Sequence, residues 1–128
     1  METTKQKLLF EYDMKSAPVA LLWNYITTEN GLNQWFADDV KIKNKDYVFT
    51  WSKSSQTAHL LGARTGMYIK MRWEDDLPGV YFEMRITVNE LTDATMLAVT
   101  DFADDGEEEE VEDLWTSQIE TLKRLLGC

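Results

Sequence analysis

The chain has little of what active sites and metal centres are commonly built from. Its one cysteine, Cys128, stands at the very end, so no internal disulfide can form and nothing calls for an oxidising compartment. Its one histidine, His59, leaves a zinc site short of imidazole and thiolate ligands. Ser52, Ser54, Ser55 and Ser117 occur without the G-x-S-x-G turn that exposes a serine nucleophile. The six glycines are scattered and form no phosphate-cradling loop. The longest apolar run, Ala17 to Trp23, falls far short of the ~20 residues of a membrane span, and Met1 to Lys7 lacks the apolar core of a signal peptide. These absences lead us to expect a cytoplasmic protein with no metal, no cofactor and no membrane span.

Basic residues are also scarce: 13 against 23 acids, for a net charge of -10. The imbalance is local, because nine acids and no base lie between Asp101 and Asp113. Elsewhere the signs nearly cancel and no Lys or Arg cluster appears, which excludes a phosphate-backbone surface and so nucleic acid as a partner. The acidic stretch lacks the D-x-[DN]-x-[DN]-G pattern of a calcium loop. It sits at the start of a predicted helix with Lys123 and Arg124 near the other end, the arrangement that complements a helix dipole.

What the chain does have is apolar bulk, with five each of Trp, Tyr and Phe and six Met. At 128 residues it is sized for one domain, residues 1–128, that buries roughly two-thirds of its unfolded surface. Gln6 to Lys15 alternates with Leu8, Phe10, Tyr12 and Met14 on one side, which predicts a half-buried strand. Ser16 and Pro18 mark a helix start, and Val19, Leu22, Trp23 and Ile26 supply its apolar side. Glu29-Asn30-Gly31 is expected to break that helix, with a second short one over Leu32 to Phe36. From Val40 the period becomes twofold, predicting strands at Val40–Lys43, Tyr47–Trp51, Gln56–Ala63, Met67–Trp73, Val80–Val88 and Thr95–Phe102. In the last of these, Met96, Ala98, Thr100 and Leu97, Val99, Asp101 are equally good inner sets. Glu107 to Cys128 closes the chain with Val111, Leu114, Trp115, Ile119, Leu122 and Leu126 at helical spacing, a stripe of about five turns.

Strands joined by tight turns pair antiparallel, and a sheet of this many strands curls under its own twist. The expected fold is therefore α+β: a curved antiparallel sheet of about seven strands around a long C-terminal helix, with two short helices after the first strand. Trp51, Met71, Trp73, Phe82, Met84 and Trp115 fall on predicted inward faces, where large flexible and aromatic side chains can line an apolar cavity as well as fill a core. His59 shares strand parity with Leu61, which would point both inward and make His59 a hydrogen-bonded core or pocket-wall residue, or alternatively a pocket acid or base.

Asn30-Gly31-Leu32-Asn33-Gln34-Trp35-Phe36-Ala37, the Trp115-to-Leu126 helix, and the pair Tyr68-to-Asp76 and Tyr81-to-Ile86 carry a family likeness. The chain resembles the helix-grip or START-like superfamily, nearest the activator homologues of the heat-shock-chaperone ATPase and a bacterial START-like branch. The Gly-Trp that commonly opens the last helix of those activators is replaced by Leu114-Trp115, and no set of cyclase catalytic residues is matched. The resemblance implies non-enzymatic binding of a small hydrophobic or amphipathic ligand between sheet and helix, with Trp35, Trp115, Ile119 and Leu122 joining the wall. It also implies two alternatives: a chaperone-associated module with a protein partner, and a polyketide-cyclase-like enzyme using His59.

Overall fold

The computed structural model describes residues 5–128. In chain order the elements are β1 (Gln6–Asp13), α1 (Val19–Thr27), α2 (Glu29–Leu32), β2 (Asp39–Lys43), β3 (Asp46–Trp51), β4 (Ser54–Arg64), β5 (Tyr68–Trp73), β6 (Phe82–Val88), β7 (Thr95–Ala103) and α3 (Glu108–Leu126). All seven strands join one antiparallel sheet in the order β1-β7-β6-β5-β4-β3-β2. The architecture is the α+β sheet-and-helix fold that the strand periodicity predicts. Among the described residues only the β1–β7 pairing is non-local; it sends β1 and β2 to opposite edges, so α1 and α2 must carry the chain between them.

The inner face is set by alternation. Phe82, Met84 and Ile86 of β6, Leu97 and Val99 of β7, and Ile69 and Met71 of β5 are buried, and Trp115, Ile119 and Leu122 of α3 are buried with them. Burying each such side chain contributes about 1.5–3 kcal/mol, so these positions supply a large part of the drive to fold. The register Glu83↔Thr100 and Met84↔Val99 selects Leu97, Val99 and Asp101 as the inner set of β7. An acid thereby takes an inward position.

Helix α3 is polarised as its charges require. Glu108, Glu109 and Glu110 occupy its first turn, Lys123 and Arg124 its last, each contributing about 0.3–1 kcal/mol against the dipole at low salt. Gly127 adopts a left-handed φ of 77°, and the bonds Gly127 N–H to Arg124 O and Cys128 N–H to Lys123 O close the end.

The second short helix lies three residues earlier than the sequence pattern predicts, at Glu29–Leu32 rather than Leu32–Phe36. Thr28 is the cause. Its backbone N–H ends α1 on Asn24 O, and its hydroxyl accepts the Gly31 N–H at 2.9 Å to start α2. Gly31 is there for space rather than as a breaker: a Cβ would come within 2.5 Å of Tyr25 Cα and closer still to Asn24 O. Residues 33–36 form turns that bring Trp35 and Phe36 into the core.

Candidate functional site: an aromatic cleft

Phe36, delivered by the turn after α2, is the hub of a ring cluster. It packs edge-on against Phe49 at 4.9 Å and Trp51 at 5.8 Å, and tilted against Trp115 at 5.7 Å. Trp73 stacks on Phe82 at 5.1 Å and leans on Trp51 at 6.1 Å. Such pairs contribute about 0.5–1.5 kcal/mol each beyond area burial. The backbone of the cluster is pinned as well, since Phe36 O accepts both the Trp51 indole N–H at 2.9 Å and the Gln118 amide at 3.0 Å.

Between this cluster and the first half of α3 the packing opens. A cleft of about 390 Å³ is walled by Phe36, Trp51, Trp73 and Trp115, with Leu114, Gln56 and Gln118 at its sides and Asp101 projecting from β7. Asp101 is the only ionisable group among the described residues that line it. Its Oδ2 accepts the Trp115 indole N–H at 2.8 Å and its Oδ1 the Phe102 N–H at 2.7 Å. Burial pushes its carboxyl above the ordinary carboxylate range; the Trp115 and Phe102 bonds oppose that, nearby Asp76 adds to it, and Lys5 offsets part.

The sequence-predicted residues divide sharply. Trp51, Trp73 and Trp115 meet in the cleft. Phe82 lies beneath it, stacked on Trp73, and Trp35 lines an adjoining groove of about 270 Å³ while giving its indole N–H to Tyr25 O. Met71, Met84, Ile119 and Leu122 are fully packed into the core and face no cleft. The broad cavity beneath the whole helix is thus filled, because buried aromatic rings together with Met71 and Met84 take up the space.

His59 and Leu61 point the other way. Ala58 pairs with Trp73 and Leu60 with Met71, which puts Ala58 and Leu60 on the inner face and His59 on the outer one; a bulge between Leu60 and Gly62 leaves Leu61 outside and half exposed. The His59 Nδ1 lies 2.6 Å from Asp46 Oδ1 and its Nε2 3.5 Å from Glu74 Oε1. Leu61 belongs instead to an outer depression with Lys70, Arg72 and Tyr81. Among the described residues, no three His, Cys, Asp or Glu side chains converge as a metal site would need, and no helix is long and apolar enough to cross a membrane.

Comparison with known proteins identifies the family. A model of the START-like superfamily domain matches residues 2–128. The chain belongs to the START-like superfamily. A solution structure of BfR322 from Bacteroides fragilis is 34% identical to this START-like chain, with a TM-score of 0.69 over 96% of this chain and 92% of that one. The Aha1 dimer from Colwellia psychrerythraea has a TM-score of 0.78 at 14% identity, covering 94% and 96% of the two chains. DynU16, from the dynemicin biosynthetic locus, has a TM-score of 0.74 at 16% identity, covering 98% of this chain and 48% of its own. The latter two likenesses establish shared fold alone. None of the curated proteins compared matches the chain.

Proposed function

We propose that this START-like domain is a non-enzymatic binder of a small apolar or amphipathic ligand, held in the aromatic cleft between the sheet and the first half of α3. The observation that carries the reading is the contrast within one interior: a closely packed core everywhere beneath Ile119 and Leu122, and an opening of about 390 Å³ walled by three tryptophans and a phenylalanine at one end. That size falls in the range of small-molecule sites, and aromatic walls with a few polar groups are their usual lining. Catalysis has less support, because the cleft's one carboxylate is tied to Trp115 and no nucleophile or second acid stands beside it. The His59 alternative loses its premise, since the imidazole stands on the outer face.

The test is native mass spectrometry and thermal shift against a panel of lipids, sterols and aromatic metabolites. A ligand at 100 times its Kd stabilises by about 2.7 kcal/mol, roughly a 10 °C rise for a domain of this size. A panel that gives no bound species and no shift overturns the reading.

A second reading, a chaperone-associated interaction module, draws on the Aha1 likeness and on the exposed acids Glu107, Glu109, Glu110, Glu112 and Asp113 at the start of α3. Changing Glu107 to Glu110 into glutamines should abolish capture of a chaperone if this surface binds one. Unaltered capture, or none by the wild type, counts against it.

A further inference from the structure

The polar inventory of the cleft is skewed. The indole N–H of Trp51 is spent on Phe36 O, that of Trp115 on Asp101, and the Gln118 amide N–H on Phe36 O. Beside the Trp73 indole N–H and the remaining amide N–H groups of Gln56 and Gln118, what the lining offers is π surface, amide oxygen and one carboxylate. A neutral apolar guest would strip water from Asp101 and return nothing, which adds to the cost of burying that group. An anion would meet it at close range. A cation suits the rings and the carboxylate of the wall, because a positive charge within about 6 Å of an aromatic centroid is drawn to the ring face. The rings stand close enough to act together: Phe36 to Trp51 is 5.8 Å, Phe36 to Trp115 is 5.7 Å and Trp51 to Trp73 is 6.1 Å. The chain's net charge of -10 would also enrich cations around it.

We propose that the cleft selects a small organic cation, an alkylated amine or quaternary ammonium, whose apolar groups contact Trp51, Trp73 and Trp115 while its charge faces Asp101. This rests on the ligand-binding reading above and narrows it to a ligand class. Asp101 is then kept inward for recognition, at a position where an apolar side chain would pack at lower cost.

Choline and its uncharged carbon isostere 3,3-dimethylbutan-1-ol separate charge from shape. Each is titrated into the full chain while the five tryptophan indole N–H signals are followed by NMR. Choline should shift Trp51, Trp73 and Trp115 and bind at least tenfold more tightly than the alcohol. Asp101→Asn, whose amide oxygen can still accept the Trp115 N–H, should cut that ratio at least threefold, with Tm and indole dispersion serving as the folding control. Equal or tighter binding of the alcohol overturns the cation assignment and leaves the binding cleft standing. So does perturbation of the three indoles by an apolar panel member but by neither probe. A cation preference that survives Asp101→Asn overturns the role given to Asp101. Silence of the three indoles towards both probes and the whole panel overturns the ligand-binding reading itself.

Discussion

Replacing Trp115 by Phe isolates the bond between α3 and Asp101. Phenylalanine keeps an aromatic ring against Phe36 and Phe82 but removes the indole N–H that Asp101 Oδ2 accepts at 2.8 Å. A hydrogen bond to a charged partner contributes about 1.5–3 kcal/mol, and its loss leaves a desolvated carboxylate that still accepts the Phe102 N–H. At pH 7 the variant should therefore lose about 2–3 kcal/mol, roughly 8–12 °C in Tm at about 4 °C per kcal/mol. The bond lowers the Asp101 pKa, so its deletion penalises the ionised form more than the neutral one. Below the ordinary carboxylate value Asp101 is protonated, the lost bond is a neutral one of about 0.5–1.5 kcal/mol, and the deficit should shrink to about 1 kcal/mol. Urea unfolding of both proteins at pH 7 and pH 3.5 measures the two deficits. Equal losses at both pH values would refute the claim that Trp115 acts on a charged Asp101, and would reduce Trp115→Phe to a packing change.

Asp101→Asn probes the same group through linkage. With its folded pKa raised above the ordinary 3.8, Asp101 contributes stability that is complete below that value and is lost as pH rises through the raised one. The stability of Asp101→Asn minus that of the wild type should thus increase with pH across that window in paired urea titrations; a flat or falling difference contradicts the burial account. Gly31→Ala should cost about 1–3 kcal/mol, because the new methyl meets the α1 backbone at Tyr25 and Asn24 rather than a movable side chain; a neutral result in thermal melts would mean that α2 can shift freely. His59→Ala should leave ligand affinity within about twofold and stability within about 1 kcal/mol, as its contacts with Asp46 and Glu74 are exposed surface pairs. A larger loss of binding would return His59 to the site.

The fold was legible because burial imposes period on sequence. Phe82, Met84 and Ile86 alternate cleanly, and the α3 stripe repeats at helical spacing, so element types and the sheet-and-helix arrangement follow from pattern alone. Where the signal was weak the reading slipped. Alanine carries little apolar weight, so β4 read as though His59 and Leu61 were its inner pair, whereas Ala58 and Leu60 are. Thr28 as a helix cap outweighed the breaking character of Asn30-Gly31 and moved α2. The cleft was legible only in part. Trp51, Trp73 and Trp115 could be placed on inward faces, but which part of the interior stays open depends on side-chain volumes meeting across the fold. Asp101 and Gln118 were missed for different reasons. Asp101 sat in one of two equal parity sets that only the β6–β7 register could separate, and Gln118 is polar at an α3 position three residues from Trp115.

The five tryptophans give the central claim its own reporter, since Trp51, Trp73 and Trp115 line the cleft and Trp23 does not. The decisive measurement is an indole N–H NMR titration of the full chain with each member of the small-molecule panel. A ligand of this cleft should shift the Trp51, Trp73 and Trp115 signals in a saturable way while Trp23 stays in place. Uniform small shifts in all five, or no shift under any member, would contradict a binding site between the sheet and the first half of α3.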